Sequence, residues 1–205
     1  MIEAVNLSCV RGDRRLFKGL NFVTKPGELL EVRGPNGSGK TSLLRIVCGL
    51  AAPADGEVRC QGKNIRSLGE EYFGAIAYVA HQNGVKDELS AFENLRIAAQ
   101  VAGDNLSKNE AKAILERIGL GKQSNLPARL LSAGQRRRVA LARLLASGAT
   151  LWILDEVLAS LDDAAIALTR QLIDEHLKEG GMAIVATHQE LGVSAGLVQR
   201  IELAK

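Results

Sequence analysis

Residues 34–41 read Gly34-Pro35-Asn36-Gly37-Ser38-Gly39-Lys40-Thr41 and satisfy the phosphate-binding pattern G-x-x-x-x-G-K-[ST] at every fixed position. The pattern lies between a strand-like run at 28–33 and a helix-like run at 42–50. Strand, glycine-rich loop and helix in that order confine the chain to a few α/β architectures. Their buried parallel strands end at a ligand-binding edge.

The residue types follow from the chemistry. Gly34, Gly37 and Gly39 let the backbone turn tightly and bring successive N–H groups against an anion, where a Cβ would obstruct. The helix that follows points its positive end at the same anion. Lys40 suits the β- and γ-phosphates of a nucleoside triphosphate, and the Thr41 hydroxyl suits a Mg2+ ion bridging them. Pro35, Asn36, Ser38 and Ser42 complete the loop and the start of the helix.

A chain of 205 residues allows one domain with a sub-domain inserted in it. No stretch approaches 18 consecutive apolar residues, and Met1-Ile2-Glu3-Ala4-Val5-Asn6 lacks a signal peptide's basic and apolar regions. A cytoplasmic protein is expected. Cys9, Cys48 and Cys60 are widely spaced and odd in number, which points to reduced, packed thiols.

Residues 2–10 and 20–23 alternate as an antiparallel pair around a polar turn at 11–15. A short strand at 57–60 and a buried one at 75–80 follow the phosphate loop. From 83 to 146 the apolar period becomes helical, which predicts an inserted helical sub-domain between core segments 1–82 and 147–205. A strand at 151–154, a helix at 164–178, a strand at 182–186 and a short pair of elements ending at Leu203 complete the chain. Strands alternating with helices predict a parallel sheet covered on both faces, so the fold class is an α/β P-loop NTPase.

The strand Leu151-Trp152-Ile153-Leu154 delivers Asp155 to the carboxyl edge of that sheet as a metal-holding acid, and Glu156 adds a carboxylate able to polarise water. Leu131-Ser132-Ala133-Gly134-Gln135, followed by Arg136-Arg137-Arg138-Val139-Ala140-Leu141-Ala142-Arg143, closely resembles the signature of the ATP-binding-cassette ATPases, usually L-S-G-G-Q. Gln82, Asp155-Glu156, the turn Ala159-Ser160-Leu161-Asp162 and His188 occur in that family's order. The resemblance spans essentially the whole chain.

It implies a RecA-like parallel-sheet core with an N-terminal antiparallel β sub-domain and the helical insertion. It also implies that two cassettes meet head to tail, each ATP lying between one phosphate loop and the partner's signature. Ser132, Gly134 and Gln135 then face the partner's γ-phosphate. By the same resemblance Gln82 joins Thr41 and Asp155 around Mg2+, Glu156 orients water, His188 contacts the γ-phosphate, and Asp162 lies at the dimer contact. The family's adenine-stacking aromatic is replaced by Arg11, whose guanidinium plane can also stack on a base. Val157 stands where proline commonly follows the acidic pair. The arginine run 136–138 is read as a solvated or ion-paired helix face, and no direct nucleic-acid contact is expected.

The resemblance further implies a separate integral membrane subunit, met near Gln82 and residues 83–98, with Leu89, Phe92 and Leu95 as groove candidates. The chain would then sit peripherally on the cytoplasmic face of the membrane. The signature string and Gly180-Gly181-Met182 leading to Thr187-His188-Gln189 are similar to those of ATP-binding subunits of haem exporters used in cytochrome c maturation. Exporters of lipid or peptide, and soluble cassette switches acting on ribosomes or nucleic acid, stay open as alternatives.

Overall fold

A computed structural model describes residues 1–158, 161–188 and 190–204. The chain first forms a hairpin of β1 (Ile2–Arg11) and β2 (Arg14–Thr24), with Arg11 opposite Arg14 across Gly12 and Asp13. The turn is tighter than 11–15 and β2 begins well before residue 20. Residues 14–19 pair with β1 although Arg14, Arg15 and Lys18 are charged, because one side of an antiparallel ribbon is free to face water. Gly12 takes φ 57° at the corner, a left-handed conformation suited to glycine.

β3 (Glu28–Arg33) leads through the phosphate loop into α1 (Lys40–Val47), so the helix starts two residues earlier than its apolar pattern. β4 (Asp55–Cys60) returns beside β1, and β5 (Lys63–Asn64) pairs with it to give an antiparallel sheet ordered β2-β1-β4-β5. Two short helices, α2 (Ile65–Leu68) and α3 (Glu70–Gly74), precede β6 (Ile76–Val79).

The insertion follows as α4 (Ala91–Val101), α5 (Lys108–Arg117), a 3-10 turn at Ala128–Leu130 and α6 (Ala133–Ala146). All three α-helices open with a reciprocal capping box: Ser90 with Glu93, Ser107 with Glu110, Ser132 with Gln135. Each satisfies two amide donors that a helix start otherwise leaves orphaned, a gain of about 1 kcal/mol per cap.

β7 (Leu151–Asp155), α7 (Asp163–Lys178), β8 (Met182–Ala186) and β9 (Leu197–Glu202) complete a five-stranded parallel sheet ordered β6-β7-β8-β3-β9. Every residue of β7 and β8 is buried, as expected of central strands covered on both faces. The expected final pair of elements is one strand, β9; the described residues between His188 and Leu197 are irregular.

Among the described residues, three apolar cores result. One lies between α1 and the two sheets, around Leu43, Leu44, Ile153 and Ile184. Another packs α7 on the opposite face, around Trp152, Leu172 and Ile173. The third joins α4, α5 and α6 through Leu95, Leu115 and Val139. Cys9 and Cys48 are buried free thiols and Cys60 is half-buried; burial pushes the Cys48 thiol up to about 12.

Candidate nucleotide-binding site

The phosphate loop leaves β3 at the sheet's carboxyl edge. Gly34 has φ 144° and no space for a side chain, since a Cβ there would lie 2.4 Å from the Leu203 carbonyl oxygen. Gly39 caps α1 at φ 105°, where a Cβ would press on Leu16 at 3.0 Å. No side chain caps α1 and no acid lies in its first turn. The amide end of the helix is therefore available to an anion.

Lys40 folds back over the loop. Its Nζ donates to the carbonyls of Gly34 at 2.8 Å and Pro35 at 3.3 Å, and lies 3.1 Å from His188 Nε2. His188 Nε2 also lies 2.9 Å from Glu156 Oε1, and the same oxygen is 3.8 Å from Lys40 Nζ. His81 approaches from the other side, its Nδ1 3.8 Å from Glu156 Oε2. Glu156 thus stands between two imidazoles and a lysine. Its backbone takes φ 49°, a left-handed conformation costly for a residue with a Cβ, and its N–H donates to the Ala186 carbonyl at 2.9 Å.

Asp155 is buried, and neither carboxylate oxygen has a hydrogen-bond partner of normal geometry. Burial raises its pKa; the nearby Thr41 hydroxyl opposes this, Glu156 adds to it, and His81 and Lys40 oppose it. A carboxylate taken out of water and left unpartnered favours a cation. The oxygen donors of Thr41 and Asp155, with exposed Gln82 beside them, suit a hard divalent ion such as Mg2+.

Apart from His188, these groups line one open cleft of about 1050 Å³. It gathers Asn36, Gly37, Gly39, Lys40, Thr41 and Ser42 from the loop and α1, and Asp155 and Glu156 from the end of β7. Arg11 and Leu16 from the hairpin and Gln82 after β6 complete its rim. Gly34, Pro35 and Ser38 form the body of the loop, with Ser38 buried.

Ser132, Gly134 and Gln135 are not part of that lining; they stand at the start of α6, with Ser132 exposed. Ser132 Oγ accepts from the Gln135 N–H at 3.1 Å while Gln135 Oε1 accepts from the Ser132 N–H at 2.9 Å. The serine keeps its own hydroxyl proton to donate. Asp162 caps α7 through the Ala165 N–H at 2.7 Å and pairs with Arg138 at 3.3 Å. Ala159, Ser160 and Gln189 lie outside the described residues.

The structure corrects two expectations and adds one residue. Arg137, in the arginine run read as a solvated or ion-paired face, is buried, because that side of α6 packs on the ends of β6 and β7; Arg138 is ion-paired. Leu95 faces the helical core with no exposed surface and cannot line a groove, whereas Phe92 is half-buried under Arg96. His81 is the addition; its one signal in the sequence is its position beside Gln82 in a loop at a strand's carboxyl end. Val157 fills the α7-side core.

Residues 17–159 match the model of the ABC transporter family, and the chain belongs to that family as one of its ATP-hydrolysing cassettes. Within the family it is similar to the cytochrome c biogenesis ATP-binding export protein CcmA of Nitrosospira multiformis, 54% identical over 202 residues covering 98% of both chains. The protein of the same name from Nitrosomonas europaea is 51% identical over 204 residues, covering 100% of this chain and 96% of that one. Among solved structures, the ATP-binding cassette MJ0796 in a dimeric post-hydrolysis state bound to ADP and Pi superposes with a TM-score of 0.78 at 26% identity, covering 92% of this chain and 88% of that one.

Proposed function

We propose that this chain is the ATP-hydrolysing subunit of an exporter serving cytochrome c biogenesis, with haem as the cargo. The observation that carries the enzymatic part is the grouping of Lys40, Glu156 and His188 over the unpartnered Asp155 at the mouth of the phosphate loop. Full-length similarity to proteins named as cytochrome c biogenesis export proteins supports the role in export.

In this reading the loop amides and Lys40 bind the β- and γ-phosphates of ATP, and Thr41, Asp155 and Gln82 hold Mg2+. The ion, when bound, offsets negative charge on the phosphate oxygens. Glu156 orients the attacking water and takes its proton, His188 hydrogen-bonds the γ-phosphate, and Arg11 stacks on the adenine. Ser132, Gly134 and Gln135 offer a hydroxyl and the positive end of α6 to the ATP of a second copy, so each site is complete only in a head-to-tail dimer. The MJ0796 cassette, solved as a dimer bound to ADP and Pi, supports this arrangement.

Residues 83–146, with their own apolar core, act as a helical sub-domain that carries closure of the dimer to a membrane subunit docked near Gln82. Ile97 and Val101 are exposed apolar residues on α4 available to that contact. Among the described residues no helix is long and apolar enough to cross a membrane. In this reading the chain works at the cytoplasmic face, bound to a separate membrane protein.

The test is to recover the chain from native membranes in mild detergent, identifying its companions by mass spectrometry and bound haem by visible absorption. Small multi-span proteins and a haem band are the expected result. Other transporter subunits without haem would change the cargo; ribosomes or nucleic acid without a membrane protein would overturn the export role.

A further inference from the structure

Arg137 points from α6 into the body of the protein and, among the described residues, forms no ion pair. Its guanidinium instead donates to six oxygens on two separate segments. Nη2 reaches the carbonyls of Asp155 at 3.1 Å and Glu156 at 3.0 Å, and Nε reaches that of Val157 at 3.2 Å. Nη1 reaches the carbonyls of Ala80 at 2.8 Å and His81 at 3.3 Å, and Asn83 Oδ1 at 2.9 Å. Five N–H protons are all engaged, two of them shared among three acceptors.

The first three acceptors are successive carbonyls where the chain leaves β7 through the left-handed Glu156. A strained residue persists only where its surroundings over-determine it, and here one rigid fork grips the peptide on both sides of it. The other three bracket Gln82, with the His81 carbonyl before it and the Asn83 side chain after it. A planar group whose three nitrogens are fixed relative to one another sets the distance between the two segments.

We propose that Arg137 is a positioning residue for ATP hydrolysis: it holds Glu156 in its left-handed conformation and locks the Gln82 loop to it, so that the two act as one unit governed by α6. This rests on the roles proposed above for Glu156 and Gln82. It makes the start of α6, which faces the second cassette, mechanically continuous with the acid and amide of the chain's own site. The fork matters rather than the charge, because a lysine ammonium has one nitrogen and cannot span both segments.

The test compares full-length wild type, Arg137→Lys, Asn83→Ala and Glu156→Gln by hydrogen–deuterium exchange over residues 80–84 and 155–158, ATP affinity and turnover. For Arg137→Lys the expected result is several-fold faster exchange in both segments, ATP affinity within about twofold, and turnover lower by about ten- to a hundredfold, the size of loss that small misplacements cause. Asn83→Ala, which trims one half-buried side-chain acceptor, is expected to speed exchange at 80–84 alone and lower turnover a few-fold. A folded Arg137→Lys protein with wild-type exchange and turnover would overturn the proposal. Should that variant not fold, Asn83→Ala with unchanged exchange and turnover would overturn it equally. Normal turnover by Glu156→Gln would instead remove the underlying role of Glu156, while leaving the exchange result as a separate measure of the lock.

Discussion

Lys40 Nζ lies 3.1 Å from His188 Nε2, two residues 148 positions apart in sequence. The same nitrogen of His188 lies 2.9 Å from Glu156 Oε1. It can accept from the lysine or donate to the carboxylate, not both, so a single proton decides which contact is made. Lys40 is otherwise occupied by two loop carbonyls. In the proposed role, a γ-phosphate takes the place of these neutral and anionic partners.

Lys40→Ala removes a charge-assisted contact to phosphate, a type of bond that contributes roughly 1.5–3 kcal/mol. ATP affinity is expected to fall about ten- to a hundredfold, measured by calorimetry or fluorescent-nucleotide displacement. Unchanged affinity would contradict the loop's role.

The buried carboxylate of Asp155, at the carboxyl end of β7, has no hydrogen-bond partner of normal geometry. Asp155→Asn removes a charge that is costly to bury, so the nucleotide-free variant is expected to be more stable by roughly 1–3 kcal/mol, which corresponds to a Tm rise of several degrees for a chain of this size. It is also expected to lose the extra stabilisation that MgATP gives over metal-free ATP. Thermal melts with and without Mg2+ check both; a variant that melts lower when empty, or keeps the Mg2+ effect, contradicts the assignment.

Arg11 lines the cleft from the hairpin while remaining exposed. Stacking on a base contributes about 1–3 kcal/mol, so Arg11→Ala is expected to weaken ATP and GTP alike by about fivefold or more. A flat guanidinium does not read the base's edge groups. Equal affinities of variant and wild type would remove Arg11 from the site.

His176 stacks on Trp152 with ring centroids 3.9 Å apart and planes 6° from parallel. Burial lowers its pKa below 6.5, against the raising effects of the Met182 and Thr150 carbonyls and of Glu179. The unfolded chain therefore takes up this proton first as pH falls. The stability it contributes is present above about pH 6.5 and is lost as pH drops through the folded-state value. His176→Phe keeps the stack and removes the titration; its Tm is expected to vary less than that of the wild type between pH 8 and about pH 5.5, on either side of the unperturbed histidine range. Parallel curves for the two proteins would contradict this.

The elements legible from sequence are those that consecutive residues specify. The strand–loop–helix around Lys40 and the apolar strand ending at Asp155 each carry their whole pattern locally, and their order implies the parallel sheet. Arg137 was not legible, because successive helical residues are rotated by about 100° and three identical arginines do not say which one faces inward. His81 reaches Glu156 only because β6 pairs with β7, a contact between residues 75 positions apart. Leu95 had the apolar character of a groove and of a core alike, and packing of α4 on α6 decided it. The early start of β2 was hidden by polar residues that an exposed ribbon tolerates.

The most direct measurement is ATP turnover by the Glu156→Gln protein beside the wild type, with nucleotide affinity and mass in solution recorded on the same samples. Loss of the base is expected to lower turnover by about 10²–10⁴-fold while ATP still binds, leaving an ATP-dependent dimer that does not reopen. Turnover at the wild-type rate, or loss of ATP binding in step with loss of turnover, would contradict the assignment of Glu156 as the group that activates water.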